Sequence, residues 1–114
     1  MIVKGIGIDV VEVGRFSSFG NNRNDRFLID NFSKNELEHC FSFQDASEHL
    51  AGTFSAKEAV WKALGRDNLS QSVIEIRRNK NGKPEAWIKN RCQKSILISI
   101  SHTANIATAI AIKQ

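Results

Sequence analysis

The stretch that decides the fold lies near the middle of the chain and reads Phe54-Ser55-Ala56-Lys57-Glu58-Ala59-Val60-Trp61-Lys62-Ala63-Leu64-Gly65. Large apolar side chains recur here every three or four residues, from Leu50 to Leu64, which is the period of a helix with one buried face. Asp45-Ala46-Ser47-Glu48 provides a helix start and Gly65 a helix stop. We therefore predict a helix over residues 46–64 whose apolar face packs on the core.

Lys57 is the one charged residue on that apolar face. Its aliphatic stem could lie along the core while the ammonium reaches the rim. Alternatively, the ammonium could be aimed into an anionic pocket at the edge of the core. The spacing alone leaves both interpretations open.

A neighbouring face of the same helix carries small residues together with one acid and one base, Glu58 and Lys62. The small residues leave room for another element to lie against the helix. An ordinary i,i+4 ion pair, worth about 0.3–0.5 kcal/mol, is one interpretation of the two charges. The other is that they belong to a functional site.

The rest of the chain predicts short helices in the first half and strands in the second. Residues 2–9 indicate a buried strand and residues 11–20 a short helix, and Ser33-Lys34-Asn35-Glu36 is a capping box that opens another. Two hairpins follow, with strands at 73–77 and 86–88 and at 96–100 and 106–112. We expect one α+β domain over residues 1–114, with the long helix packed on a mostly antiparallel sheet.

Asp9 directly follows the apolar segment Gly5-Ile6-Gly7-Ile8. A carboxylate at the end of a buried strand is costly unless it is paired or coordinated. Asp9 could cap the following helix, or it could bind a divalent cation together with Glu58, because Mg²⁺ usually takes one or two carboxylates. Gly5 and Gly7 indicate a bulge or the close approach of another group.

The composition of the 114 residues is that of a globular protein, with 41% hydrophobic and 25% charged residues. The net charge of +4 fits nucleic acid, a phosphorylated ligand or an acidic partner equally well. No apolar run approaches a membrane span, and no secretory signal precedes Ile2. Cys40 and Cys92 lack metal-ligand spacing, so we expect reduced thiols and a cytoplasmic protein. A small domain has little room for a deep cleft of its own, which favours a site between subunits.

Five segments in this order resemble the holo-acyl-carrier-protein synthase type of 4′-phosphopantetheinyl transferase. They are Gly5-Ile6-Gly7-Ile8-Asp9-Val10-Val11-Glu12, Phe32-Ser33-Lys34-Asn35-Glu36, the helix from Phe54 to Gly65, Asn81-Gly82-Lys83-Pro84 and Ser99-Ile100-Ser101-His102. The match runs nearly from end to end. One departure is Thr53, which stands where the family often has arginine, and this puts one contact to a coenzyme A phosphate in doubt.

The resemblance implies transfer of the phosphopantetheine arm of coenzyme A to a serine of an apo acyl carrier protein, with release of adenosine 3′,5′-bisphosphate. It implies Mg²⁺ held by Asp9 and Glu58, and Lys62 against the pyrophosphate as charge stabiliser and candidate proton donor. Glu58, or a water held beside it, is the candidate base for the carrier serine. We favour the water, because a metal-bound carboxylate is a poor base.

The resemblance also assigns a coenzyme A surface, which consists of Ser55, Lys57, Lys62, Gly82, Lys83, Pro84, Ser101 and His102. From the residues alone, a histidine at a strand end such as His102 is more often structural than a ligand contact. Family members of this size are trimers with sites at the subunit interfaces, which implies a homotrimer here.

Arg15, Arg23 and Arg26 are the candidate docking residues, because carrier proteins present an acidic helix beside their serine. Solvated arginines without a partner are the alternative. The resemblance does not decide between carriers of fatty-acid, polyketide and peptide synthesis.

Three other functions fit the sequence less well. A nucleic-acid-binding module would need clustered basic residues and exposed aromatic side chains on a sheet, whereas the strands here are aliphatic. An inactive family member that only scaffolds a carrier would not need Asp9, Glu58 and Lys62. A different Mg²⁺-dependent phosphotransferase is disfavoured because the chain lacks a Walker-type glycine loop.

Overall fold

The computed structural model describes residues 2–65 and 69–114 and confirms an α+β fold. The strands form two three-stranded antiparallel sheets, with orders β1-β6-β5 and β2-β3-β4, where the sequence predicted one sheet. The elements in chain order are β1 Gly5–Glu12, α1 Gly14–Ser17, α2 Arg26–Asn31, α3 Lys34–Cys40, α4 Ser47–Ala63, β2 Ile74–Arg78, β3 Pro84–Ile88, β4 Arg91–Cys92, β5 Ile96–His102 and β6 Ile106–Lys113, with a 3₁₀ turn at Gln71–Val73.

The long helix α4 is the element around which both halves of the core assemble. Its bounds agree with the predicted 46–64, and Gly65 ends it with a positive φ of 81°, a conformation that suits glycine. One core cluster joins the first half of α4 to the short helices around Phe16 and Leu28. The other joins its second half to both sheets around Val60 and Ile98.

Strand β1 lies in unusually close contact with α4, because two glycines remove the side chains between them. A Cβ at Gly5 would lie 2.0 Å from the Ala63 carbonyl oxygen, and one at Gly7 only 1.9 Å from that of Ala59. The predicted close approach is confirmed, and the element that lies against the small face of the helix is β1.

The predicted bounds and burial of the first strand were wrong. β1 runs from Gly5 to Glu12, so Asp9 lies inside the strand and does not cap a helix. Alternate residues Ile6, Ile8 and Val10 are 62%, 63% and 65% exposed. One sheet face is therefore apolar and open, while Asp9 alternates onto the face that packs against α4.

Most local predictions outside β1 are confirmed. Ser33 and Glu36 form the predicted capping box at α3, and the strands of both hairpins pair as expected. The sequence did not predict helix α2, which Asp25 caps, or the short strand β4. Across the described residues, no helix combines the length and apolar character needed to span a membrane.

Candidate active site

Asp9 and Lys62 meet where strand β1 crosses the second half of α4. The Lys62 ammonium nitrogen lies 3.5 Å from Asp9 Oδ1 and donates a hydrogen bond to the Ile8 carbonyl at 3.0 Å. The Asp9 side chain keeps 17% of its surface exposed. It opens into a pocket of about 250 Å³, here called the Asp9 pocket, which is lined by Ile8, Asp9, Val10, Lys62 and Thr108.

Two hydroxyl groups fix the backbone at Asp9. Ser55 of α4 donates to the Asp9 carbonyl at 2.9 Å, and Thr108 of β6 donates to the same oxygen at 2.7 Å. The carboxylate is therefore attached to a backbone segment that both the helix and the neighbouring strand hold in place.

Glu58 lies on the helix face that contacts Asp9. Ser55 and Lys62 both bond to the Ile8–Asp9 segment, and Glu58 falls between them at helical spacing, one turn before Lys62. Its side chain is half-buried. The structure thus brings the three predicted catalytic residues to one contact between a strand and a helix.

The donors at this contact fit a small hard cation. No group of three or more His, Cys, Asp or Glu side chains among the described residues is arranged to hold a metal ion. Asp9 and Glu58 are two carboxylates, however, and Mg²⁺ is commonly bound by one or two, with water and phosphate oxygens completing its shell.

Lys57 lies inside the core and not at a coenzyme A surface, so the interpretation that its ammonium reaches the rim was wrong. Its side chain is fully buried, and its ammonium nitrogen lies 2.7 Å from Glu36 Oε1. Glu36 also accepts hydrogen bonds from the backbone N–H groups of Ser33 and Ile76. Burial raises the pKa of Glu36 above its ordinary value, although Lys57 and these N–H groups offset part of that rise.

Ser55 is likewise not on the surface to which the sequence assigned it. It is fully buried, and its hydroxyl is used by the Asp9 carbonyl. Its part in the site is to position β1. Thr53 is also buried, and its Oγ1 lies 3.6 Å from the Cys40 sulfur, so it does not replace an arginine at the surface.

The remaining residues assigned to coenzyme A lie in two places, the turn that leads into β3 and the end of β5. Gly82, with a φ of 82°, Lys83 and Pro84 form the turn between β2 and β3. Ser101 pairs across the sheet with Thr108, which itself bonds to Asp9. Among the described residues, no hydrogen bond or ion pair joins the Gly82–Pro84 turn to Asp9 or Lys62.

His102 ends β5 and is held by an acid. Its Nδ1 lies 3.3 Å from Glu48 Oε2, and its ring centroid is 5.8 Å from that of His49. His49 in turn stacks on Phe43 at 3.5 Å and lies 6.2 Å from His39. The sequence did not predict this group, because its members come from different elements and share no spacing.

The three candidate docking arginines are exposed. The Arg15 guanidinium lies 5.4 Å from the centroid of Phe54, which is one helical turn before Glu58. Arg23 lies over Phe41, and Arg26 forms an exposed ion pair with Asp30. Arg15 thus contacts a residue of the helix that carries Glu58.

Comparison with known proteins identifies the family of this fold. The 4′-phosphopantetheinyl transferase superfamily matches residues 5–111. The chain belongs to this superfamily. A holo-[acyl-carrier-protein] synthase of Thermodesulfovibrio yellowstonii is 38% identical over 112 residues, which cover 97% of this chain and 98% of the relative. Another, of Chlamydia muridarum, is 40% identical over 117 residues, which cover 96% and 94%.

Solved structures agree with the sequence comparison. A holo-(acyl-carrier-protein) synthase of Bacillus anthracis, crystallised in complex with CoA (3′,5′-ADP), superposes with a TM-score of 0.80 at 29% identity, covering 99% of this chain and 97% of that one. The Helicobacter pylori enzyme in complex with coenzyme A gives 0.79, also at 29% identity, covering 96% and 99%. The family and the fold that the sequence predicted are confirmed.

Proposed function

We propose that this protein transfers the 4′-phosphopantetheine group of coenzyme A to a serine of an apo acyl carrier protein. The observation that carries the proposal is the contact of Asp9 and Lys62 beside Glu58, in a chain whose full-length relatives are holo-acyl-carrier-protein synthases. Coenzyme A complexes of two structural neighbours support the choice of donor.

The reaction breaks the phosphoanhydride bond of coenzyme A and forms a phosphoester bond to the carrier serine. The carrier serine oxygen forms a bond to the β-phosphorus of coenzyme A, and the bond from that phosphorus to the bridging oxygen breaks. The serine proton goes to a base, and adenosine 3′,5′-bisphosphate leaves with the bridging electron pair. Negative charge concentrates on the non-bridging oxygens in the transition state, so fixed positive charge there lowers the barrier.

Lys62 is the residue of this chain that supplies such charge. Its ammonium is held at the mouth of the Asp9 pocket by the Ile8 carbonyl and the Asp9 carboxylate. From there it would face the pyrophosphate and protonate the departing oxygen. Glu58, or a water that it orients, would accept the serine proton.

Mg²⁺ is the cation proposed for the pair of carboxylates Asp9 and Glu58. When bound, it would supply charge neutralisation of the pyrophosphate oxygens. Asp9 is suited to hold it because its backbone is fixed by two hydroxyl groups.

Coenzyme A would lie across Lys62, the Gly82-Lys83-Pro84 turn, Ser101 and His102. Because these groups are spread over separate edges of one small chain, we propose a homotrimer in which neighbouring subunits complete each site. The exposed apolar face of β1, with Ile6, Ile8 and Val10, supports burial against another copy. We also propose that the protein acts in the cytoplasm, where carrier proteins of fatty-acid synthesis would meet it.

Arg15, Arg23 and Arg26 are proposed to dock the acidic helix of the carrier. Such charge pairs set association rate and specificity more than affinity. Arg15→Glu should raise KM for the carrier while leaving coenzyme A binding unchanged, as measured by steady-state kinetics and calorimetry. Equal effects on both substrates would contradict docking by Arg15.

The test of the proposed function is the intact mass of an apo acyl carrier protein after incubation with this protein, coenzyme A and Mg²⁺. We expect a mass gain of one phosphopantetheine group and adenosine 3′,5′-bisphosphate as the second product. A different nucleotide product would indicate another phosphotransferase. No mass gain across fatty-acid, polyketide and peptide-synthesis carriers, with coenzyme A still bound, would favour an inactive scaffold.

A further inference from the structure

Arg78 is a charged residue on the buried face of a strand. In β2, the alternate residues Ile74 and Ile76 are buried in the core, and Arg78 continues the same face toward α3. Its neighbour Arg77 points the other way, where it binds Glu75 and Asn90 and stacks on Trp87.

The guanidinium of Arg78 has no acidic partner among the described residues. No carboxylate there lies within ion-pair distance of it. Burial lowers the pKa of Arg78, and Cys40 is the one group that opposes this shift. A half-buried charge without a counterion is costly in the free protein, and an anion would remove that cost.

The surroundings of Arg78 are those of an anion-binding pocket. An open pocket of about 270 Å³, here called the Arg78 pocket, is lined by Asn35, His39, Ile76, Arg77 and Arg78. Burial is the largest cause of the lowered pKa values of His39 and His49, and the charge on Arg78 also lowers both. None of the described residues that line the Arg78 pocket is acidic.

The Arg78 pocket lies between two parts of the proposed coenzyme A surface. Arg78 pairs with Pro84 in the β2–β3 register, at the base of the Gly82–Pro84 turn. On the other side of the pocket, the ring of His39 lies beside that of His49, which in turn lies beside that of His102.

We propose that Arg78, with Asn35 and His39, forms an anion subsite that binds the 3′-phosphate of coenzyme A. This inference rests on the function proposed above, since the product adenosine 3′,5′-bisphosphate carries that phosphomonoester. A guanidinium provides several N–H donors for phosphate oxygens, and Arg78 is the specificity residue for coenzyme A over 3′-dephospho-coenzyme A.

Calorimetric titration with coenzyme A and with 3′-dephospho-coenzyme A tests the proposal, because the two ligands differ only in this phosphate. Arg78→Gln should reduce the preference for coenzyme A by about tenfold or more while leaving 3′-dephospho-coenzyme A affinity unchanged. Arg78→Lys should restore part of the preference. Lys80→Gln removes one positive charge from the exposed turn of the same hairpin and should leave the preference unchanged.

An unchanged preference in Arg78→Gln, or equal weakening of both ligands, would overturn the proposal. Thermal unfolding of the variant shows whether the fold is retained, and Arg78→Lys decides the question if Arg78→Gln does not fold.

A second measurement separates this subsite from the proposed function. Titration with inorganic phosphate should shift the imidazole NMR signals of His39 saturably in wild type and Lys80→Gln, but not in Arg78→Gln. If wild type binds neither coenzyme A nor its dephospho form, the proposed function fails and this titration alone decides the subsite. Absence of a saturable shift in wild type would then overturn it.

Discussion

Lys57 and Glu36 place two charged side chains in the core of a 114-residue domain, and both are fully buried. Glu36 links three elements, because it bonds to the start of α3, to Lys57 of α4 and to the backbone of β2 at Ile76. The pair therefore ties the short helices to the second sheet. It is a structural contact, although Lys57 lies one position before the proposed catalytic Glu58.

Lys57→Met should lower the free energy of unfolding by about 3–5 kcal/mol, because it leaves the Glu36 carboxylate buried without its counterion. Chemical denaturation measures this change. Lys57→Met combined with Glu36→Gln should recover part of the loss, since the neutral amide needs no counterion. Lys94→Met, at an exposed lysine, should change stability by less than about 0.5 kcal/mol. A similarly small effect of Lys57→Met would contradict the importance of the pair.

The histidines make stability depend on pH in a defined window. Burial lowers the pKa of His39 below its ordinary value of 6.5, and the charge of Arg78 lowers it further. Burial likewise lowers the pKa of His49, with His102 and His39 as the next causes, while Glu48 opposes the shift. Below pH 6.5 these two histidines therefore bind more protons in the unfolded chain than in the folded one, so their contribution to stability falls as the pH falls.

We expect the unfolding temperature to be highest above pH 7 and to fall as the pH is lowered through 6.5. The double variant His39→Gln with His49→Gln should show a flatter profile over the same range. Glu75, whose pKa is lowered by hydrogen bonds that outweigh its burial, affects stability only near its ordinary value of 4.5 and below. A profile that is equally steep in the double variant would assign the effect to other groups.

Among the elements, β1 and α4 form the contact on which the site depends. Gly7 allows the backbone of β1 to lie against the Ala59 carbonyl, and Asp9 follows two residues later on the same face. The short distance between helix and strand requires glycine at positions 5 and 7, because a side chain there would collide with the backbone of α4.

Gly7→Ala should destabilise the protein by about 1–3 kcal/mol, because its Cβ would lie 1.9 Å from the Ala59 carbonyl oxygen and the strand must move. The same movement displaces Asp9, so transfer should slow by roughly a hundredfold. Gly14→Ala is the matched control, since a Cβ there meets nothing within 4 Å. Wild-type stability and rate in Gly7→Ala would show that the close approach is unimportant.

Elements with local signals could be predicted from the sequence. Helix α4 repeats its apolar residues over several turns and ends at Gly65, and Ser33 and Glu36 form a capping box within four residues. The partner of Lys57 could not be predicted, because Glu36 is 21 residues away and no helical or strand spacing links the two residues. The burial of β1 was mispredicted because its exposed residues Ile6, Ile8 and Val10 are apolar. The sequence alone could not distinguish an exposed apolar face from a buried one.

The candidate site was predicted by resemblance and not by periodicity. The structure places two of its residues, Asp9 and Lys62, 3.5 Å apart, and the roles of Asp9, Glu58 and Lys62 stay predictions. Arg78 carries no signal of its own in the sequence, because its lack of an acidic partner is a property of the folded chain alone.

For the whole molecule, the open apolar face of the β1-β6-β5 sheet is the dominant surface feature. Ile6 pairs across the sheet with Ile112 and Ile8 with Ile110, so the aliphatic side chains of two strands lie on one face. A face of this kind is typical of a surface that another chain covers, and the proposed trimer would cover it with further copies.

Ile6→Lys should therefore convert a trimer into monomers, because it places a charge on the proposed interface. Light scattering coupled to size-exclusion chromatography measures the mass. Val73→Lys, at an apolar residue that is 44% exposed outside this sheet, should leave the trimer intact. A monomeric wild type, or a trimeric Ile6→Lys variant, would contradict assembly through this face.

The measurement that tests the proposed site most directly is the rate of phosphopantetheine transfer by Glu58→Gln. Each variant would be assayed on an apo carrier protein with and without a chelator. We expect Glu58→Gln to slow transfer at least a hundredfold. Glu38→Gln, which changes an exposed glutamate of α3, should transfer at the wild-type rate. The chelator should abolish transfer by wild type. Transfer by Glu58→Gln at the wild-type rate would contradict the site built on Asp9, Glu58 and Lys62.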